Sequence, residues 1–137
     1  MYHILNNIFL SNLRDARNMK LIRANNIQIV VRLSRNNNAS IYPTNIAFHN
    51  FQIEDSCSFK AELIDYSKFI RGIIDNNPDK NILIHCNEGR SRSASVIIFY
   101  LMTKHKLSFD QSWDYIKTIK SDIRPNDGFE QVLRTFG

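Results

Sequence analysis

Cys86 and Arg92 stand six positions apart in the segment His85-Cys86-Asn87-Glu88-Gly89-Arg90-Ser91-Arg92-Ser93. A cysteine at the base of a tight polar loop can serve as a nucleophile. An arginine at the far end offers a planar fork that matches two phosphate oxygens, which a lysine cannot do. Together they suggest phosphoryl transfer from an ester to a thiol. That reaction needs a thiolate, donors for the equatorial phosphate oxygens, an acid for the leaving group and a way to release the phosphoenzyme. Cys86 supplies the first. The backbone N–H groups of Asn87, Glu88, Gly89, Arg90, Ser91 and Arg92 are expected to point into the loop, beside the positive end of a following helix. Gly89 lets the chain turn without a Cβ in the way. Ser93 is placed to donate a hydrogen bond to the leaving thiolate, and His85 to brace the loop through its ring nitrogens.

These residues need a strand behind them and a helix ahead. Ile82-Leu83-Ile84 reads as a buried strand feeding the loop, and Ala94 to Met102 as a helix apolar nearly all round. Earlier in the chain, Ile8-Phe9-Leu10 reads as the first strand, and Ser11 as the cap of a helix from Leu13 to Ala24 that Asn25-Asn26 ends. Gln28 to Leu33 reads as a second buried strand, Ser34 to Pro43 as a polar loop, and Ala47 to Ile53 as an alternating strand. From Ser58 the residues Phe59, Leu63, Tyr66, Ile70 and Ile73 recur at helical spacing until Asn76-Asn77-Pro78 stops them. Ser108 and Gln111 read as a capping box ahead of a face formed by Phe109, Trp113, Ile116 and Ile119. A last helix from Asn126 turns Phe129, Val132, Leu133 and Phe136 inward. Strands alternating with helices predict an α/β sandwich. Its central, mostly parallel twisted sheet has about four to five strands, flanked by about five to six helices, with the site at the carboxyl end of the central strand.

His85 to Ser93 resembles the signature of the cysteine-dependent dual-specificity protein phosphatases. Its six fixed residues would arise at a given position roughly once in 10⁷ from ordinary residue usage. Two further segments agree: Ile53-Glu54-Asp55 resembles the family's general-acid loop, and Arg124-Pro125-Asn126-Asp127-Gly128-Phe129 its Pro-Asn-x-Gly-Phe element. The resemblance runs from about Ile8 to Phe136 and implies the family's fold. It implies that Asp55, 31 residues before Cys86, is the general acid and later the base that activates water. Glu54 is the competing carboxylate, and a capping role at the following helix is the alternative for Asp55. Asn126 either buttresses the loop or caps the last helix, or both. The resemblance also implies a shallow site open to phosphoserine, phosphothreonine and phosphotyrosine.

The 137 residues fit one domain spanning 1–137. Two cysteines, Cys57 and Cys86, make no disulfide framework, and a thiolate nucleophile must stay reduced. The expected compartment is therefore the cytoplasm or another reducing one. Cys57, two residues from Asp55, is either a bystander or a reversible disulfide partner for Cys86. The four histidines, His3, His49, His85 and His105, are scattered, so neither metal nor other cofactor is expected. The net charge of +5 attracts anionic substrates through Arg90 and Arg92, without the interleaved aromatics of a nucleic-acid reader. No apolar stretch reaches a membrane span, and the N-terminus reads as neither signal peptide nor myristoylation site. Sixteen Asn and nineteen Ile suggest an AT-rich genome, and phosphatases of this size and motif occur in poxviruses. A viral origin would place the chain in host cytoplasm or virion. The chain starts almost at its first strand, without the helix that relatives use for docking or dimerisation, which leaves monomer and weak homodimer open.

Three functions compete. The first is hydrolysis of phosphoproteins on both tyrosine and serine/threonine. The second is hydrolysis of non-protein substrates, a phosphoinositide or an RNA 5′-phosphate, for which the extra cation Arg90 is the argument. The third is a catalytically silent module that holds phosphoproteins. Cys86, Arg92 and Asp55 are all present, which ranks it last.

Overall fold

Isoleucine and valine dominate the two runs that become the middle of the sheet, because β-branched side chains pack well on a pleat buried on both faces. The computed structural model describes residues 1–35 and 42–136. Among these, five strands form one sheet: β1 (Tyr2–Leu5), β2 (Ile8–Ser11), β3 (Ile27–Ser34), β4 (Ala47–Gln52) and β5 (Asn81–His85), in the order β1-β2-β5-β3-β4. Only β1 runs antiparallel, against β2; every other pair is parallel. β5 is central, as the sequence predicts.

Helices cover both faces. Helices α1 (Leu13–Ala16) and α2 (Met19–Ala24) pack Ala16 and Ile22 against Phe9, Val30 and Leu83. The other face carries α3 (Lys60–Asn76), α4 (Arg92–Lys104), α5 (Phe109–Lys117) and α6 (Asp127–Phe136). Every residue from Arg92 to Met102 is buried, so α4 is the spine of that layer. Each buried Ile, Leu or Phe there contributes about 1.5–3 kcal/mol relative to exposure.

Several boundaries differ from the sequence reading. The expected helix from Leu13 to Ala24 is two helices, because the Asn18 side chain accepts hydrogen bonds from Lys20 and Leu21 N–H and starts a new one. Asn12, not Ser11, caps the first, since Ser11 is the last residue of β2. Strand β1 has no counterpart in the sequence reading. The helix expected from Ser58 begins as a 3-10 turn, Cys57–Phe59, capped by Ser56, and becomes α-helical at Lys60. The capping box at Ser108 and Gln111 forms as expected, but α5 ends at Lys117, so Ile119 packs from the following turn. Phe136 is not inward: it is 41% exposed, resting against Phe99. Of the expected loop from Ser34 to Pro43, Ser34 belongs to β3, and residues 36–41 lie outside the described residues.

Candidate active site

β5 ends at His85 and α4 begins at Arg92, so Cys86 to Ser91 form a short loop at the carboxyl end of the central strand. The loop is moulded against the turn that follows β2. Leu13 N–H donates to the Asn87 carbonyl at 2.9 Å. Gly89 has φ +69°, and a Cβ there would lie 2.8 Å from the Ser11 carbonyl oxygen, so both conformation and space require glycine. Cys86 is 3% exposed, with its Sγ 3.1 Å from the Ser93 hydroxyl.

Above the thiol opens a cavity of about 300 Å³. Cys86 and the loop residues Asn87, Glu88, Arg90, Ser91 and Arg92 line it, joined by Asp55 and Arg124 from distant segments. One carboxylate oxygen of Asp55 accepts hydrogen bonds from the Ser91 hydroxyl at 2.6 Å and from the Asn126 amide at 2.9 Å. The Ser91 hydroxyl oxygen accepts in turn from Asn126 N–H at 3.0 Å. Arg92 is 7% exposed and donates through Nη1 to the Ile53 carbonyl at 3.1 Å, which ties the loop to the segment carrying Asp55. Asp55 is therefore held in the wall of the cavity that Cys86 also lines. The cap of the 3-10 turn behind it is Ser56, and Glu54 lines a separate cavity with Arg35 and Tyr66.

Arg90 sits at the rim. It donates to Glu88 at 3.1 Å and to the Asp122 carbonyl at 3.2 Å, and Lys120 pairs with Asp122 at 2.5 Å. The Arg90 carbonyl accepts from Arg124 N–H at 2.7 Å, so the segment before α6 braces the loop. His85 is fully buried, and its Nδ1 lies 3.2 Å from the Cys86 carbonyl oxygen. Its Nε2 has no hydrogen-bond partner among the described residues, so one ring nitrogen, not two, braces the loop. Burial pushes the His85 pKa down to about 4, against the pull of the hydrogen bond to Cys86; Arg32, Arg17 and Arg92 add to the depression. Both cysteines are free, and the exposed Cys57 Sγ accepts from Gly128 N–H at 3.2 Å. Among the described residues, no group of three or more His, Cys, Asp or Glu gathers in a metal-holding cluster, and no helix is long and apolar enough to cross a membrane.

The structure thus brings Cys86, Asp55, Arg92, Ser93, Asn126 and the loop from Asn87 to Ser91 to one place. Gly89 stands behind the cavity wall, and His85 beneath it. Asn126 caps α6 through Oδ1, which accepts from Phe129 N–H at 2.9 Å, while its backbone N–H donates to Ser91 of the loop and its amide reaches Asp55. Sequence reasoning missed Arg124. It directly precedes the Pro-Asn element, and that position was the available signal.

Comparison with known proteins agrees with this geometry. Residues 8–137 match the dual specificity phosphatase catalytic domain. The chain belongs to that family. It is 36% identical over 94 residues to the dual specificity protein phosphatase PHS1 of Arabidopsis thaliana, covering 67% of this chain and 10% of that protein. It is 32% identical over 135 residues to human dual specificity protein phosphatase 9, covering 97% of this chain and 35% of the relative. A putative tyrosine phosphatase, 123R, of Invertebrate iridescent virus 6 is 30% identical over 135 residues, covering 97% and 89%. The chain therefore spans about a tenth and about a third of the first two relatives, and most of the viral one. Among solved structures, that of DUSP15 superposes with a TM-score of 0.86 at 25% identity, covering 99% of this chain and 86% of the other. That of human DUSP28 gives 0.85 at 22%, covering 99% and 94%, a likeness of fold.

Proposed function

We propose that this domain hydrolyses phosphotyrosine and phosphoserine/phosphothreonine esters of proteins through a phosphocysteine intermediate. One observation carries the reading: Asp55 is hydrogen-bonded into the wall of a cavity whose base is the Cys86 thiol. In the first step the Cys86 sulfur attacks phosphorus, the P–O ester bond breaks, and Asp55 gives its proton to the departing oxygen. The loop from Asn87 to Ser91 and the Arg92 guanidinium hold the phosphate oxygens as charge redistributes. In the second step Asp55 takes a proton from water, the water oxygen attacks phosphorus, and the P–S bond breaks. Ser93, 3.1 Å away, donates to the sulfur as it departs.

Action on both kinds of phosphoamino acid is the family's reading, carried here by a cavity of about 300 Å³ with Cys86, Arg92 and Asp55 in its lining. The alternative, a substrate bearing several phosphates, rested on Arg90. Its guanidinium is engaged by Glu88 and Asp122, which favours bracing of the loop over reading of a second phosphate. The test is hydrolysis of a small aryl phosphate between about pH 5 and 8 with chelator present, followed by phosphopeptides, inositol lipids and triphosphorylated RNA. Turnover that survives the chelator and vanishes in Cys86→Ser, with phosphopeptides preferred, is the expected result. Wild-type protein that binds phosphopeptides without turnover is instead a binding module, and a preference for the lipids or RNA moves the chain to the second reading.

A further inference from the structure

Beneath the phosphate loop, on the α1 face of the sheet, lies a polar cluster that the proposed chemistry does not use. Arg32 of β3 and His85 of β5 are register partners in the parallel ladder, about 4.8 Å apart between strands. Val30 and Leu83, two residues before each, pack in the α1–α2 core, so the alternation of a strand puts Arg32 and His85 on that same face. Both are buried, at 4% and 0% exposure. Each has one nitrogen without a hydrogen-bond partner among the described residues: Nε of Arg32 and Nε2 of His85. The Arg32 guanidinium lies 5.1 Å from the centre of the Phe48 ring, and no carboxylate forms an ion pair with it among the described residues.

We propose that Arg32 is a positioning residue of the phosphate loop: it holds His85 neutral, with the ring proton on Nδ1 aimed at the Cys86 carbonyl. The donors and acceptors decide the tautomer. The Cys86 carbonyl only accepts, so Nδ1, 3.2 Å away, carries a proton. Arg32 Nε–H only donates, so a bare Nε2 on its register partner is favoured beside this cation over a second N–H. A proton on Nε2 would add a second buried cation on the face that already holds Arg32, which has no carboxylate ion pair among the described residues. The charged groups acting on His85 are Arg32 on β3, Arg17 at the end of α1 and Arg92 on α4; Tyr42, whose hydroxyl donates to the Ala16 carbonyl, acts on Arg32. Burial is the largest cause of the depressed His85 pKa, and the three cations act in the same direction. The consequence is an uncharged imidazole whose Nδ1–H stays aimed at the Cys86 carbonyl at mildly acidic pH.

The catalytic consequence rests on the phosphatase reading; the state of the imidazole does not, and it is read separately. Nitrogen-15 spectra of the His85 ring across about pH 4 to 8 report tautomer and midpoint, with His3, His49 and His105 in the same spectra as internal references. The wild type is expected to show a neutral ring protonated on Nδ1 at pH 5. Arg32→Met keeps an apolar stem on Phe48 and removes an unpaired buried charge, a change that folds tolerate. It is expected to raise the His85 midpoint measurably, while Arg32→Lys stays near the wild type. In the same variants, the ratio of kcat/KM at pH 5 to that at pH 7 for an aryl phosphate is expected to fall several-fold in Arg32→Met only. A wild-type His85 that is cationic or protonated on Nε2 alone at pH 5 overturns the proposal without any variant. So does an unchanged titration in Arg32→Met, or equal shifts in the methionine and lysine variants.

Discussion

Asp55 and Arg92 meet at the Ile53 to Asp55 segment, where Arg92 donates to the Ile53 carbonyl and Ser91 and Asn126 hold the Asp55 carboxylate. An acid held there matters most when the leaving oxygen is a poor one. Asp55→Asn is therefore expected to slow alkyl phosphates by about 10²–10⁴ and good aryl leaving groups far less. Steady-state kinetics on a series of phosphate esters checks this, and equal slowing across the series removes Asp55 from the role. Arg92→Lys keeps a charge but loses the fork and the bond to Ile53. Its expected cost is roughly 3–4 kcal/mol of transition-state stabilisation, read as kcat/KM on an aryl phosphate. Near-normal kinetics would contradict bidentate binding. Arg124 shows where residue-level reading stops: alone it is an ordinary surface arginine, and only the turn bonding its N–H to Arg90 brings it to the cavity.

At the scale of elements, α6 is where spacing and contact act together. A Cβ on Gly128 would lie 2.6 Å from the Cys57 Cα, backbone that has nowhere to go. Gly128→Ala is expected to destabilise by about 1–3 kcal/mol, lowering Tm by several degrees in a thermal melt. It should also weaken catalysis through Asn126, two residues away. An unchanged melt would mean that the 3-10 turn shifts freely. The strongly patterned elements were legible: β5 and α4 because apolar runs of that length are buried strands and helices, α5 because its capping box is local chemistry. Those that failed depend on competition between local hydrogen bonds. Asn18 can continue a helix or cap a new one, and only the packing of Ala16 and Ile22 on the sheet decides. β1 was missed because Tyr2–Leu5 is short and half exposed, and it gains its ladder from β2. The roles of Asn126 were legible only as alternatives, because a cap is sequence-local whereas the bond to Asp55 spans 71 residues.

Across the whole molecule, one buried group links stability to acidity. His85 has a folded pKa of about 4 against 6.5 for an unperturbed imidazole, so the unfolded chain binds the proton more tightly. The stability it contributes is fully present above pH 6.5 and is lost as pH falls through that value towards 4. Over this window the loss is roughly 3 kcal/mol. Urea denaturation at steps from pH 7 to 4 should show the midpoint falling, and His85→Gln should flatten that part of the fall. A wild-type curve no steeper than the variant's would place the ring in a better-solvated setting than the fold implies. The three-layer arrangement itself, helices on both faces of a mostly parallel sheet, followed from alternation of strand and helix patterns. The division of the first helix and the edge position of β1 did not, since both are settled by contacts far apart in sequence.

The cradle around Cys86 is assembled from four separate stretches: the turn at Ser11 to Leu13, the segment Ile53 to Asp55, the loop itself, and Arg124 with Asn126. During synthesis the ribosome releases these in order, and the last emerges only when nearly all of the domain is made. A nascent chain ending after α5 carries the thiol and its arginine but neither the brace on Arg90 nor the second grip on Asp55. The thiol is thus made before the bonds that brace its loop, and the cradle closes only when the last helix of the domain has emerged.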